Sequence, residues 1–124
     1  MDIESVRAYC LSFPHATEKV QWGADLVFKI GGKMFAVISL EPSSDHCMSF
    51  KATPEKFAEL IERNGVVPAP YVARYHWVAL EKFNALSEKE LKSLIRIGYD
   101  LVFEKLPKKV KSGLETGGSP KKRR

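Results

Sequence analysis

Apolar side chains recur at helical spacing over the first dozen residues, where Ile3, Val6, Ala8, Cys10 and Leu11 form a stripe. Asp2 stands where its carboxylate caps a first turn and Pro14 stops the pattern, so a short amphipathic helix is expected through about Phe13. From Glu18 the period changes to that of a strand. Lys19-Val20-Gln21-Trp22 alternates, and Leu26, Phe28 and Ile30 interleave with Val27 and Lys29. Gly31-Gly32 marks a two-residue hairpin turn. The run returning from it, Lys33 to Leu40, is almost wholly apolar, as in a central strand covered on both faces. Glu41 to Asp45 reads as a turn and His46 to Lys51 as a third strand.

The second half repeats these signals. Thr53-Pro54-Glu55 opens a helix: Thr caps it, Pro fills the first position at no loss of a hydrogen bond, and Glu suits the positive end of the dipole. Phe57, Leu60 and Ile61 then face inward, and Gly65 supplies a left-handed terminator. Val66 to Tyr71 is extended, because Pro68 and Pro70 lack donors and bias the residues before them away from helix; it reads as a rigid connection or a sheet edge. His76 to Leu80 is another strand, paired beside a shorter one near Tyr71 to Ala73. Ser87 and Glu90 fit a capping box for a long last helix, which buries Leu91, Leu94, Ile95, Leu101 and Val102 and ends at Pro107. Gly98 within it implies close packing against a neighbour. The fold class is α+β. Residues 1–112 form one domain, and 113–124, with nothing to bury and a Lys121 to Arg124 run that repels itself, form a basic, disordered tail.

Composition changes this picture in one respect, the placement of charge. The chain has 124 residues and a net charge of +5, but residues 105–124 carry eight Lys or Arg against Glu115 alone. The remaining 104 residues have a net charge of −2, so attraction to phosphate has to come from the C-terminal end or from a local patch. No apolar run approaches membrane-spanning length, and Met1-Asp2-Ile3-Glu4 lacks the regions of a secretory signal, which makes the cytoplasm the expected location, with no membrane partner. Cys10 and Cys47 sit in different elements without zinc-ligand spacing and read as two buried or half-buried thiols.

Three blocks carry a resemblance. Trp22 to Ala36, Pro68 to Arg74 followed by Trp77-Val78, and Tyr99 to Val102 with Lys105 to Lys109 resemble, in order, the signatures of the MmcQ/YjbR family of small bacterial proteins. The resemblance covers nearly all of residues 1–112. It implies an antiparallel sheet with helices in the order α-β-β-β-α-β-β-α, similar in layout to bacterial type III secretion chaperones. Members of the family are commonly labelled DNA-binding.

The candidate chemistry is that of binding. His15, Glu18 and Asp25 would have to converge from opposite ends of a bent strand to act as an acid/base or metal set, and no motif fixes them on one face. His46 and His76, at strand starts, read as exposed or hydrogen-bonded structural residues. There is no GxSxG elbow, no Cys with a nearby His, and no phosphate-cradling glycine loop. No enzymatic activity, cofactor or metal is therefore expected. Cations interleaved with aromatics are the more suggestive set, since aromatic rings stack on unpaired bases while Lys and Arg neutralise phosphate. The expectation is a DNA-binding protein of low sequence specificity. Lys33, Lys51, Arg74, Lys108, Lys109 and Lys111 are its cations, and Tyr71 and Trp77 are stacking surfaces. Lys108, Lys109 and Lys111 are expected at the end of the last helix, where they also complement its dipole. Pro120 to Arg124 resembles a basic targeting signal, more simply a solvated tail. Two alternatives are a protein-interaction or chaperone-like module holding an extended partner segment, with a homodimer as one form, and a small-ligand pocket between Trp22, Tyr71 and Trp77.

Overall fold

The computed structural model describes residues 1–117. Six strands form one antiparallel sheet in the order β1-β2-β3-β4-β6-β5. They are β1 (Thr17–Gln21), β2 (Asp25–Ile30), β3 (Lys33–Ser39), β4 (Met48–Lys51), β5 (Val66–Pro68) and β6 (Trp77–Leu80), joined by helices α1 (Ile3–Leu11), α2 (Pro54–Leu60), α3 (Glu88–Glu104) and α4 (Lys108–Gly117). Helix α3 lies across β2, β3 and β4. One side of the sheet therefore buries Leu26, Phe28, Ile30, Ala36, Ile38, Met48, Phe50, Val78 and Leu80 against Val6, Cys10, Leu91, Ile95 and Tyr99 of the helices. Phe35 sits at the centre of this core, with ring contacts to Phe13, Phe28 and Tyr99.

Phe35 reaches the core through a bulge. Phe28 pairs with Ala36 and Lys29 with Met34, so Phe35 has no partner across the ladder. Both Phe35 and Ala36 consequently face the helices, while Met34 and Val37 face the other way. Alternation alone would have sent one of the two outward.

Most local signals act as the residue pattern implied. Asp2, Thr53 and Ser87 accept capping hydrogen bonds from Ser5, Lys56 and Glu90 backbone N–H groups. Gly31 and Gly32 take φ values of +59° and +83° in the two-residue turn between β2 and β3, and Gly65 takes +83° after α2. Four details differ. The stretch from Glu18 to Ile30 is two strands, because Trp22 and Gly23 both turn left-handed and fold β1 back onto β2. The partner of β6 is Val66–Pro68, while Ala73–Tyr75 forms a short 3-10 turn. Glu90 does not close a capping box; its carboxylate receives Arg63 Nη1 at 2.7 Å. Finally, the domain does not stop at Ser112. Leu106, Val110 and Leu114 recur every fourth residue and pack on the core, so the chain stays helical to Gly117. Residues 118–124, including the Pro120 to Arg124 run, lie outside the described residues.

Arg63 ties α2 to α3, since its guanidinium also pairs with Glu59 at 2.6 Å. The hydrogen bond from Arg63 holds Glu59 below the ordinary glutamate value, and that from Arg7 does the same for Glu18. A carboxylate with a lowered folded-state value stabilises the fold fully above its unfolded value and loses that contribution as pH falls through the lowered one. Thermal melts are thus expected to be insensitive to these pairs above the ordinary value of 4.5 and to fall below it. In Arg63→Gln the neutral-pH melting temperature drops and the acid limb flattens; a variant that keeps the parental acid limb would exclude the pair as its source.

Candidate functional site

The opposite side of the sheet is covered by none of the described α-helices. Its central row runs Lys19, Val27, Val37, Ser49, Ala79 and Val67 across all six strands. Ser49 and Ala79 are small, and the larger Val37 and Trp77 beside them leave a depression. The segment after β5 folds over one side of it, with Ala69, Trp77 and Ala79 packed against Met34, Val37, Val67 and Val72. The result is a half-open cavity of about 500 Å³, within the range of small-molecule sites. Its floor includes Met34, Val37 and Ser49; Trp22, Asp25 and His46 stand at one end, Tyr71, Val72 and Trp77 at the other.

Two aromatic residues at the rim are held in unusual backbone. Tyr71 is 98% exposed at φ +69°, and Trp22 is 67% exposed at φ +52°. The left-handed region is sparsely populated by bulky residues, so these conformations persist only because their surroundings impose them. For Tyr71 those surroundings are Pro68 and Pro70, the Ala69 N–H to Trp77 carbonyl bond of 3.0 Å, and the Lys51 ammonium on the Tyr75 carbonyl at 2.9 Å. Trp77 is only 4% exposed, so its ring is reached from inside the cavity. The polar groups at the other end are unengaged: the Asp25 carboxylate and the Ser39 and Ser49 hydroxyls have no hydrogen-bond or ion-pair partner among the described residues. His46 Nδ1 lies 3.0 Å from Asp45 Oδ1.

The cations gather at the end of the sheet nearest Tyr71 and Trp77. Gly31 is pressed so closely on α4 that a Cβ there would lie 2.6 Å from Leu106 Cδ1 and 3.0 Å from Val110 Cγ1. This seats Lys33 beside the start of α4. Burial and the nearby Lys105 lower the Lys51 pKa, and the Lys51 bond to Tyr75 brings in Arg74, whose guanidinium covers the Tyr75 ring at 4.9 Å. Lys111 is engaged locally, donating to the Glu104 carbonyl at 2.8 Å. Lys33, Lys108 and Lys109 are exposed and in no ion pair among the described residues. Lys108 and Lys109 do not extend α3 as expected. They occupy the first turn of α4, which contains no acidic residue, so they reinforce the positive end of a dipole where carboxylates are usual.

The remaining candidates separate. Glu18 pairs with Phe28 in register and faces the helix side, where Arg7 binds it at 2.6 Å, whereas Asp25 faces the open side. The imagined set with His15 does not form, and no cluster of three potential metal ligands occurs among the described residues. The His76 ring stands edge-on to Phe57 at 5.6 Å. Burial raises the Cys10 thiol to about 12 and the half-buried Cys47 to about 11, so neither is a ready nucleophile at neutral pH. No described helix is long and apolar enough to cross a membrane. Ser39, Ser49 and Met34 were not legible as candidate site residues, and Asp25 was weighed only as a partner of His15 and Glu18; Ser49, polar between Met48 and Phe50, was a signal.

A sheet covered by helices on one side and holding an aromatic-rimmed cavity on the other defines a small α+β domain. The chain belongs to the YjbR family, whose model matches residues 11–101. It is similar to the crystal structure of a Deinococcus radiodurans protein with the domain DUF419, at a TM-score of 0.78 and 26% identity over 96% of this chain and 95% of that one. A Pseudomonas syringae protein shares the fold at a TM-score of 0.69 and 21% identity, over 82% of this chain and 99% of its own. No curated protein matches the chain.

Proposed function

We propose that this protein binds DNA without catalysing a reaction, holding phosphates at the basic end of the sheet and unpaired bases along its open face. The observation that carries this reading is the meeting of Lys33, Lys51, Arg74, Lys105, Lys108 and Lys109 from four separate parts of the chain, beside the exposed Tyr71 ring. Among residues 29–33, 51, 73–75 and 104–111, which build that end, Glu104 is the one acidic residue. Unpaired lysines in the first turn of α4 add to backbone N–H groups that already favour an anion. Single strands suit the open face better than duplex, because a flat ring needs an unstacked base to meet it.

Fluorescence anisotropy with labelled single-stranded and duplex oligonucleotides tests this. Log affinity is expected to fall linearly with log salt, by about 0.7 per phosphate contact for a single strand. The triple variant Lys33→Ala/Lys108→Ala/Lys109→Ala, which alters only exposed side chains, is expected to bind more weakly and to lose about two units of that slope. Absence of binding at low salt, or an unchanged slope in the triple variant, would overturn the reading. The runner-up, addition of a partner's extended segment at a sheet edge, is favoured by β1, an outer strand whose Val20 is exposed; the β5 edge is three residues long and contains Pro68. A pulldown that survives nuclease treatment, with no oligonucleotide binding, would select it.

A further inference from the structure

The cavity has opposite chemistry at its two ends. At one end it is lined by Trp77, whose register partner Lys51 belongs to the basic end of the sheet, and at the far end it presents the unpaired carboxylate of Asp25 with the Ser39 hydroxyl beside it in register. A half-buried carboxylate that no described residue satisfies calls for hydrogen-bond donors from a ligand. The apolar walls and the two rim rings call for a flat, aromatic one. A ligand that meets both demands and also carries phosphate at its other end is a nucleotide whose base edge offers adjacent donors.

We propose that the cavity selects a guanine base, with its ring N–H and amino group directed at the Asp25 carboxylate and its phosphate at the basic end. Guanine puts two adjacent donors on one edge, matching the two oxygens of a carboxylate. Thymine and uracil offer a single ring N–H flanked by two carbonyl oxygens, which a carboxylate repels. Adenine and cytosine, with one amino donor next to a ring acceptor, fall between. For a base within a strand, the inference rests on the DNA-binding reading above; for a free nucleotide it stands without it.

The test uses the full chain and two kinds of probe. The first is an oligothymidine of fixed length with or without one central guanine, followed by anisotropy; the second is free guanosine monophosphate against thymidine monophosphate, followed by tryptophan fluorescence. Guanine is expected to bind about tenfold more tightly than thymine. Asp25→Asn, at a position with no internal bond to lose, is expected to fold normally and to abolish most of that ratio. The ratio is the readout because removing a negative charge raises affinity for every polyanion alike. Salt-dependent binding of both oligonucleotides with no guanine preference, or a preference unaltered in Asp25→Asn, overturns this inference and leaves the DNA reading standing. Guanosine monophosphate binding that depends on Asp25, without oligonucleotide binding, supports the cavity and overturns the DNA reading.

Discussion

Replacing Trp22 and Tyr71 together by alanine is expected to weaken single-stranded oligonucleotide binding by roughly a hundredfold, since each aromatic stacking partner contributes about 1–3 kcal/mol. The rings are the two most exposed large hydrophobic side chains in the described structure and make few contacts that truncation would remove. Stability is therefore expected to change little. A glycine at position 71 sharpens the point. The backbone there is left-handed, which glycine adopts freely and tyrosine does not, so Tyr71→Gly is expected to weaken binding without lowering the melting temperature. Such a combination separates a residue kept for contact from one kept for folding. Anisotropy titrations beside thermal melts measure both, and an affinity that survives the double substitution would remove stacking from the mechanism.

Gly98→Val is expected to destabilise the fold by about 3 kcal/mol, at the upper end of what overpacking usually does, and to lower the melting temperature by roughly 10 °C. Helix α3 crosses the sheet so closely at this point that even a Cβ would lie 2.7 Å from the Lys51 carbonyl oxygen and 3.6 Å from that of Phe35. The second is an ordinary contact; the first is a clash with the backbone of β4, which does not yield by a rotamer change. Valine adds two methyl groups to that clash and stiffens the helix at χ1. Gly98→Ala is milder, because a gain in helix propensity of about 1 kcal/mol offsets part of the strain. Differential scanning calorimetry distinguishes the outcomes. A valine variant melting at the parental temperature would mean that α3 does not sit this close to the sheet. Because Lys51 belongs to both this contact and the basic end, a shifted helix is also expected to disturb the Tyr75 carbonyl bond that anchors the Ala69 to Tyr75 segment.

What the chain determines by itself is whatever a few neighbouring residues suffice to decide. The caps at Asp2, Thr53 and Ser87, the Gly31-Gly32 turn, the left-handed Gly65, and the close approach implied by Gly98 are local or nearly local, and each was legible. The α+β class follows from where helical and alternating periods begin and end. Some local information went unread: Leu106, Val110 and Leu114 already outline α4 at a spacing of four. Tertiary structure alone decided the rest. The Phe35 bulge exists because β2 and β3 must both direct large rings at α3, a demand set by packing across the sheet. The cavity exists because Ser49 and Ala79 become neighbours on adjacent strands, although thirty residues separate them. The basic end exists because the hairpin tip, the end of β4 and the start of α4 are drawn together by buried Leu106 and half-buried Val110. Summed charge conceals such a patch, since like charges distant in sequence meet only when apolar burial elsewhere outweighs their repulsion.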